Sequence, residues 1–446
     1  MDMREQTFTY TGFALSEGDR VALKMPAATT LVGTNVENCR CARGALKRCL
    51  GLEYIYNEDD EALTCTYRAQ KVKLLYVDDE EGKRRYQGIV VARDARVQGY
   101  AQPTDDAALF GRRPRRPALV CPLPSEKGER DFYFLTADFV KRFVNGESIY
   151  QPGTLKNNRA ACVFRDRFFY SAGRAIVFSE AGNFEDFSTT AYGAGAIEVV
   201  DGYGNVLQML VYQDAILLFK ENRVFRFHAA GAADTFRIES MDYYGGKIVR
   251  NSAVQCGKYV LFLTEEGDVY RLFGTRFERL IEGVSQDFCF DDVNVTADGE
   301  RYFISDESKV LVIEVEDGSK HLSYPVYGIT DNNGMAVGEW NYHVCRIVPN
   351  GFLPDGVQPK FAAKGVAVKD RKEKLVKRLL VYGEGTVRVC FGVNGQTVER
   401  ELALSEYGVE LPVGIRGKAF DWEISFTDSA CVRKIDVVFS ELGGME

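Results

Sequence analysis

The chain has 446 residues, of which 46% are hydrophobic and 27% charged, and it carries a formal net charge of −8 at pH 7. This composition excludes a mostly disordered chain, and because no run reaches about 18 apolar residues it also excludes a transmembrane helix. The excess of negative charge disfavours a protein that wraps nucleic acid by neutralising its phosphates, although a local basic patch is compatible with it.

The N-terminal segment combines a polar start with a cluster of cysteines. Residues 1–6 are polar, with no apolar stretch behind them, so we expect no secretory signal. Cys39, Cys41 and Cys49 offer three thiols to a metal that would need a fourth ligand from elsewhere, which makes zinc an alternative to three buried thiols. Most of the 11 cysteines stand singly in apolar runs, so the sequence predicts free thiols and synthesis in a reducing cytoplasm.

Short apolar runs separated by Gly, Asp and Asn turns dominate the chain and predict β-strands. Long amphipathic helix patterns are almost missing, and residues 42–50 and 137–144 are the short helix candidates. The predicted fold class is therefore all-β.

Four strand–turn–strand segments repeat in the middle of the chain, as tight hairpins require. They occupy residues 166–178, 214–227, 258–272 and 300–314. The polar residues that close their first strands are spaced by roughly 40 to 50 positions, a period typical of the blades of a β-propeller. Further segments at 63–92, 132–142 and 340–368 complete a predicted ring of six or seven blades. The alternative is a β-sandwich in which the spacing is coincidental.

Residues 93–131 interrupt the repeat and predict a long surface loop. The segment holds several prolines and the run Gly-Arg-Arg-Pro-Arg-Arg-Pro at 111–117. We predict that Arg112, Arg113, Arg115 and Arg116 contact a partner, which would be an acidic protein face or, locally, nucleic acid. The alternative is a solvated loop without a specific role.

A charge run at 369–378 predicts a domain boundary near residue 365. Residues 1–365 are predicted to form the β-propeller, with the loop at 93–131 as an excursion. Regular strands separated by glycine turns follow, so residues 366–446 predict a small C-terminal β-sandwich.

The sequence contains none of the motifs that mark common catalytic or metal sites. A Walker A loop, a His-Glu-x-x-His pair, a Cys-x-x-Cys pair and a Gly-x-Ser-x-Gly elbow are all missing. His228, His321 and His343 are widely separated, and the turn at 331–334 lacks the downstream acid of a calcium loop. We therefore predict no enzyme activity, no cofactor and no bound metal.

Three stretches of sequence are similar to a known group of proteins. They are residues 31–51, which contain Asn-Cys-Arg-Cys-Ala-Arg-Gly-Ala-Leu-Lys-Arg-Cys-Leu-Gly; residues 159–187, which contain Phe-Arg-Asp-Arg-Phe-Phe-Tyr and Val-Phe-Ser-Glu-Ala-Gly-Asn-Phe-Glu-Asp-Phe; and residues 210–227, which contain Leu-Val-Tyr-Gln-Asp-Ala-Ile-Leu-Leu-Phe-Lys-Glu-Asn-Arg-Val-Phe-Arg-Phe. Over about residues 30–280 the chain resembles β-propeller proteins of tailed-phage head–tail junctions and tails, of the tail accessory or packaged-DNA-stabilisation type.

The resemblance implies a non-catalytic structural subunit of a phage or prophage virion, made in the cytoplasm of a bacterial host. It implies partners instead of substrates: the portal, tail proteins or neighbouring copies in a homo-oligomeric ring. No membrane is implied, and nucleic acid enters only through a local contact. The C-terminal sandwich would contact another virion component.

Two other functions fit the sequence. A carbohydrate-binding or glycosidase-like propeller, such as a receptor-binding part of a tail, would place aromatic residues and paired carboxylates at one mouth of its channel. The 23 tyrosines suit that function, whereas the chain has only 2 tryptophans. An intracellular scaffold propeller is the third candidate.

Overall fold

The computed structural model describes residues 5–57, 60–66, 68–78, 81, 84–91, 97–99, 119–125, 128–135, 140–144, 147–150, 160–188, 193–199, 203–284, 293–306, 309–331, 334–427 and 429–442. Almost all regular structure in these ranges is β-strand, which confirms the predicted all-β class. Helix α1 (Glu17–Ala22) is short and begins at Ser16, whose hydroxyl accepts a hydrogen bond of 3.1 Å from the Asp19 amide. No helix in the described part is long and apolar enough to cross a membrane.

Forty β-strands lie in the described residues. The first fourteen are β1 (Gln6–Tyr10), β2 (Gly12–Ala14), β3 (Thr30–Val32), β4 (Asn35–Glu37), β5 (Cys39–Ala42), β6 (Ala45–Arg48), β7 (Gly51–Tyr54), β8 (Lys71–Asp78), β9 (Arg84–Val91), β10 (Val97–Gly99), β11 (Leu119–Ser125), β12 (Gly128–Leu135), β13 (Val140–Val144) and β14 (Glu147–Tyr150). The next sixteen are β15 (Ala161–Phe164), β16 (Arg167–Ala172), β17 (Ala175–Phe178), β18 (Gly195–Glu198), β19 (Gln208–Tyr212), β20 (Ala215–Phe219), β21 (Val224–His228), β22 (Arg237–Ser240), β23 (Val254–Cys256), β24 (Tyr259–Leu263), β25 (Val269–Phe273), β26 (Arg276–Ile281), β27 (Asn294–Ala297), β28 (Arg301–Ser305), β29 (Val310–Glu314) and β30 (Lys320–Ser323). The last ten are β31 (Tyr327–Asp331), β32 (Ala336–Trp340), β33 (His343–Val348), β34 (Lys360–Val366), β35 (Lys374–Glu384), β36 (Thr386–Val393), β37 (Gln396–Ala403), β38 (Val409–Gly417), β39 (Phe420–Phe426) and β40 (Cys431–Glu441).

The two short segments with a predicted helical pattern contain strands instead. In the first, β5 and β6 pair as a hairpin around Arg43 and Gly44, whose φ angles are 52° and 75°. Positive φ at both central positions is typical of a type I′ turn, which matches the twist of a tight hairpin. The second segment contains β13, which pairs with β12 and β14. The helix predictions at 42–50 and 137–144 were therefore wrong, because sheet pairing decides the structure of these short segments.

The surface loop predicted at 93–131 contains strands at both of its ends. β10 pairs with β9, and β11 pairs with β12. Pro122 and Pro124 are tolerated in β11 because, among the described strands, β12 is its one partner, so the missing N–H groups fall on the unpaired edge. The centre of the predicted loop, residues 100–118, lies outside the described residues.

The described residues divide into two compact units. The first takes those within 1–52, 311–324 and 348–446, and the second takes those within 53–310 and 325–347. The boundary predicted near residue 365 differs from this division. The reason is that β1, β4, β5 and β6 are hydrogen-bonded into the same sheets as strands from residue 360 onward.

The first unit contains two antiparallel sheets around one apolar core. One sheet has the strand order β38-β35-β40-β6-β5, with β1 also paired to β40, and the other has the order β37-β36-β39-β34-β4. Trp422 is 1% exposed in this core, and its ring centroid lies 4.6 Å from that of Phe391 and 5.7 Å from that of Tyr10. At the β1–β40 pair, the Thr9 hydroxyl donates a hydrogen bond of 2.7 Å to the Asp436 carboxylate.

Two glycines permit a close backbone crossing in the first unit. Leu52 and Phe352 exchange hydrogen bonds of 2.8 and 2.9 Å. A Cβ on Gly351 would lie 2.3 Å from the Leu52 carbonyl oxygen, and a Cβ on Gly51 would lie 2.2 Å from the Gly351 carbonyl oxygen. Neither position has room for a side chain.

We expect Gly351→Ala to lower the free energy of unfolding by about 1–3 kcal/mol, because the two backbones must separate to admit the methyl group. Equilibrium urea denaturation measures the loss. Gly18→Ala in α1 is the control, since its Cβ would meet nothing closer than the Ser16 hydroxyl at 3.7 Å. Equal stability of the Gly351 variant and the wild type would contradict the close crossing.

Four-stranded sheets follow one another between residues 161 and 323. Strands β15–β18, β19–β22, β23–β26 and β27–β30 form one sheet each, in chain order. The middle two strands of these sheets are the four strand–turn–strand segments predicted from the sequence, which are thereby confirmed. Earlier in the chain, β8–β14 form a seven-stranded sheet in which β8 and β12 pair at two positions.

Seven strands of the second unit follow one another in space: β8, β11, β15, β19, β23, β27 and β31, which we call the cavity strands. Contacts run from β11 through β15, β19, β23 and β27 to β31, which also contacts β8. Polar side chains link cavity strands to residues that directly precede other cavity strands. The Gln208 amide donates to the Ala253 carbonyl at 2.6 Å and accepts from the Ala253 amide at 2.8 Å, and the Asn294 amide donates to the Gln70 carbonyl at 3.0 Å.

Hydrogen bonds connect the two ends of the second unit. The Ile55 amide donates to the Val344 carbonyl at 3.0 Å, and the Val344 amide donates to the Leu63 carbonyl at 2.9 Å. The buried Glu339 carboxylate accepts from the amides of Ala69 at 3.2 Å and Tyr342 at 2.7 Å. Early residues of this unit therefore pair with its last sheet, β31–β33.

Candidate functional site

The predicted partner contacts Arg112, Arg113, Arg115 and Arg116 lie outside the residues that the structure describes, so their role stays a prediction. Each of the three histidines has different neighbours. His228 Nε2 lies 3.3 Å from the Glu239 carboxylate, and His343 Nδ1 lies 3.0 Å from the Asn341 carbonyl oxygen. His321 is buried in the first unit.

The cysteine cluster is buried in the first unit. Cys39, Cys41 and Cys49 are at most 5% exposed. Burial raises the pKa of Cys49 to about 11 and raises the pKa values of Cys39 and Cys41 well above the usual range, so these thiols stay protonated near neutral pH. Within the described residues, no group of three His, Cys, Asp or Glu side chains is placed to hold a metal ion.

A cavity of about 160 Å³ lies among the cavity strands. Residues in or next to all seven of these strands contribute to its wall. The polar side chains of the wall are Lys71, Lys73, Gln208, Asn251 and Thr330, and the other described residues that line it are Ala, Val, Leu or Met. The described wall therefore carries two ammonium groups and no carboxylate.

Lys71 and Lys73 share one face of β8, because alternate residues of a strand point the same way. Lys71 is 9% exposed. Burial, together with the positive charges of Arg250 and Lys73, lowers the pKa of Lys71 to about 8. Because this pKa still lies above 7, Lys71 carries its proton at pH 7. Among the described residues, no acidic group acts on Lys71 in the opposite direction.

A second candidate lies at one end of the sheet β19–β22, on the surface of the second unit. The guanidinium carbon of Arg223 lies 4.9 Å from the ring centroid of Tyr203 and 5.5 Å from that of Tyr244. Arg223 also donates a hydrogen bond of 2.7 Å to the Tyr243 carbonyl, which holds the guanidinium in place. Tyr244 is 80% exposed and Tyr203 is 37% exposed. We call Tyr203, Arg223 and Tyr244 the arginine–tyrosine cluster.

The next sheet, β23–β26, exposes a related arrangement. The Lys258 ammonium lies 5.1 Å from the Tyr259 ring centroid and 5.5 Å from that of Phe273. The guanidinium carbon of Arg271 lies 4.8 Å from the Tyr259 ring centroid. Cation–π contacts of this kind hold aromatic rings in fixed orientations at a surface. Exposed rings next to cations therefore recur on two consecutive sheets.

No family profile matches the chain, and no curated protein is significantly similar to it. Similar solved structures include BamB from Moraxella catarrhalis, a β-propeller protein, at 11% identity and a TM-score of 0.39 over 69% of this chain and 92% of that chain. The extracellular domain of a hybrid two-component system from B. thetaiotaomicron has 10% identity and a TM-score of 0.43 over 81% and 47% of the two chains. The computationally designed Ika8 protein has 10% identity and a TM-score of 0.37 over 67% and 99%. At this level, the similarities assign neither a family nor a function.

Neither the cavity nor the arginine–tyrosine cluster was predicted from the sequence. Lys71 and Lys73 alternate with apolar residues, which predicts a strand with one polar face, but not that this face lines a cavity. Tyr203 and Tyr244 lie in separate connections of the chain and meet only through Arg223. The sequence near either tyrosine does not indicate that both rings contact the same arginine.

Proposed function

We propose that this chain is a non-catalytic structural subunit of a phage or prophage virion, located at the head–tail junction or in the tail. It acts through protein–protein interfaces with the portal, tail proteins or neighbouring copies in a ring. It is made in the host cytoplasm and then incorporated into the particle. Two observations support this: the resemblance over residues 30–280 to virion propeller proteins, and the exposed arginine–tyrosine cluster.

The architecture proposed for this subunit is a seven-bladed β-propeller together with a β-sandwich. Each cavity strand begins one blade, and the seven-stranded sheet supplies two blades because β8 and β12 pair at only two positions. Pairing of Ile55 and Leu63 with Val344 supports closure of the ring. The two sheets around Trp422 support the sandwich, which includes the N-terminal strands as well as the C-terminal ones.

The arginine–tyrosine cluster is the observation that carries the functional proposal. Arg and Tyr are among the residues that contribute most to binding energy at protein interfaces. Tyr244 leaves 80% of its surface in water, although burial of an aromatic ring is favourable. Because Arg223 already holds both rings, a partner that covers the cluster loses little conformational entropy in ordering it.

We expect Tyr244→Ala to reduce incorporation of the chain into virions by tenfold or more, since loss of a central aromatic contact costs about 2 kcal/mol of binding. Particles are induced from the bacterial strain that carries the gene, purified on a density gradient and assayed for the tagged chain. Tyr407→Ala is the matched control, because Tyr407 is 84% exposed and has no cation–π contact in the described residues. Both variants should unfold at the wild-type temperature.

Two outcomes would contradict the proposal in different ways. Equal incorporation of the Tyr244 and Tyr407 variants would show that the arginine–tyrosine cluster is not part of the interface. Absence of the wild-type chain from purified, DNA-containing particles would reject the virion role itself.

A carbohydrate-binding propeller is the second candidate function, and the exposed ring faces of Tyr203 and Tyr244 favour it over the intracellular scaffold. A flat aromatic face with a polar edge suits a sugar ring as well as a protein side chain. Glycan-array binding that is lost in Tyr244→Ala and retained in Tyr407→Ala would favour this function over the structural one.

A further inference from the structure

Lys71 brings an unusual amine to the wall of the cavity. The residue is 9% exposed, and its ammonium group makes no hydrogen bond or ion pair with the described residues. Lysine is almost never buried to this extent unless it is paired. Because Lys71 belongs to the wall, a small molecule in the cavity can reach its side chain. A buried lysine in a cleft is typical of sites at which the amine itself reacts.

The surroundings of Lys71 favour its neutral, reactive form. Burial and the positive charges of Arg250 and Lys73 act in the same direction and lower the pKa of Lys71 to about 8. At pH 7 about one tenth of this lysine is therefore neutral, against about one part in 3,000 for a lysine with the ordinary pKa of 10.5. Only the neutral amine has the free electron pair that attacks a carbonyl carbon.

The rest of the wall suits a small molecule with an apolar part and one polar end. Leu119 and Met209 are among the apolar residues that line it. Asn251 lines the same cavity, and its side chain makes no hydrogen bond to the described residues, so its amide is available to a carbonyl oxygen. The Gln208 side chain instead binds the main chain of Ala253 at both ends, which fixes the shape of this part of the wall.

The size of the cavity limits the class of ligand further. Its volume of about 160 Å³ is comparable to that of a cavity that accepts one benzene molecule, for which about 150 Å³ suffices. Drug-sized ligands need pockets of roughly 300 Å³ or more. A short aldehyde or ketone fits, whereas an oligosaccharide or a nucleotide does not.

We propose that Lys71 is a covalent attachment site for one small, neutral aldehyde or ketone, which enters the cavity and forms an imine with the lysine amine. The Nζ electron pair attacks the carbonyl carbon, and one Nζ proton passes to the carbonyl oxygen, which gives a carbinolamine. The hydroxyl group then leaves with the second Nζ proton as water, and a C=N bond remains. The step needs no oxidant or reductant, and it replaces a buried cation by a neutral group.

Reductive trapping in the folded, full-length chain tests the proposal, because cyanoborohydride converts an imine into a stable secondary amine. The protein is incubated at pH 7 with propanal and cyanoborohydride, and modified lysines are located by peptide mass spectrometry. We expect Lys71 to react at least tenfold faster than Lys247, whose side chain is 58% exposed and pairs with Glu265 at the surface. In spectra of the intact chain, Lys71→Met should lose the fastest-forming adduct, and the matched control Lys247→Met should keep it.

The pH dependence separates a reactive amine from one that is merely accessible. The ratio of the Lys71 rate to the Lys247 rate should fall between pH 7 and pH 10, because ordinary lysines lose protons over this range while Lys71 has already lost most of its own at the upper end.

Three results would overturn the proposal. They are a Lys71 rate no higher than that of Lys247 in the folded chain, a rate ratio that stays constant with pH, and a preference for Lys71 that persists after the chain is unfolded in urea. None of them bears on the virion proposal, because they concern the inside of the second unit and not its surface.

Discussion

Lys71→Met should raise the free energy of unfolding by about 3 kcal/mol at pH 7. The pKa of Lys71 falls from 10.5 to about 8 in the folded chain, so the folded state holds a proton that it binds more weakly than the unfolded state does. Each unit of pKa difference corresponds to about 1.4 kcal/mol. Methionine fills a similar volume without a charge and adapts to irregular surroundings.

The gain should depend on pH in a defined direction. Below pH 8 Lys71 is protonated in both states, and the destabilisation of the wild type is complete. Between pH 8 and 10.5 the folded lysine loses its proton while the unfolded one keeps it, so the advantage of Lys71→Met declines and then vanishes. Urea denaturation at pH 7 and pH 10 measures both values.

Lys247→Met is the control for this series, because its side chain is exposed and removal of its charge should change stability little at either pH. A Lys71→Met variant that is no more stable than wild type at pH 7 would show that a counter-charge already accompanies Lys71. An increase in the free energy of unfolding that stays constant up to pH 10.5 would show that Lys71→Met stabilises the protein through packing and not through removal of a charge.

Glu314→Gln should lower the free energy of unfolding of the first unit by about 3–5 kcal/mol. Glu314 pairs with Arg40, and the side chains of the two residues are 12% and 7% exposed. Glutamine keeps the shape of glutamate but removes the negative charge. The buried guanidinium of Arg40 would lose its counter-ion.

Replacing Arg40 and Glu314 together with Met should cost less than about 1 kcal/mol, or even stabilise the unit. Both desolvation costs then disappear, including that of the Arg40 Nε, which has no hydrogen-bond partner in the described residues. Urea denaturation of Arg40→Met, Glu314→Met and the double variant completes a double-mutant cycle.

The exposed pair Arg43–Glu316 serves as the control for the buried pair. Its side chains are 74% and 68% exposed, so Glu316→Gln should cost under about 1 kcal/mol. Equal costs for Glu314→Gln and Glu316→Gln would contradict the burial of the Arg40–Glu314 pair.

Local patterns predicted the hairpins, but not the partners of distant strands. β16–β17, β20–β21 and β24–β25 are apolar runs joined by short polar turns, so neighbouring residues contain all the information that their pairing needs. The boundary near residue 365 rested on a local charge run. The structure instead pairs β1 with β40 and β4 with β34, and such pairing depends on residues that lie more than 300 positions apart.

The candidate sites were less predictable than the strands for the same physical reason. The alternation of Lys71 and Lys73 with apolar residues identifies β8 as a strand. The cavity that these lysines line is formed only when six further strands pack around it. The exposed rings of Tyr203 and Tyr244 depend on two connections that approach Arg223. The four arginines within 112–116 were the partner-contact residues that the sequence pointed to, and they lie outside the described residues.

The pairing of β1 with β40 has a consequence for synthesis on the ribosome. Thr9 and Asp436 are 427 positions apart. At roughly 5–20 residues per second, about 20 to 85 s pass between the synthesis of β1 and that of its partner β40. The hairpin-built sheets between residues 161 and 284 contain mostly neighbouring pairs and can form while the chain is still growing. β1 and β4 meanwhile have no partner strand, and the β5–β6 hairpin lacks its neighbour β40, so the nascent N-terminal segment keeps unpaired strand edges that chaperones would protect.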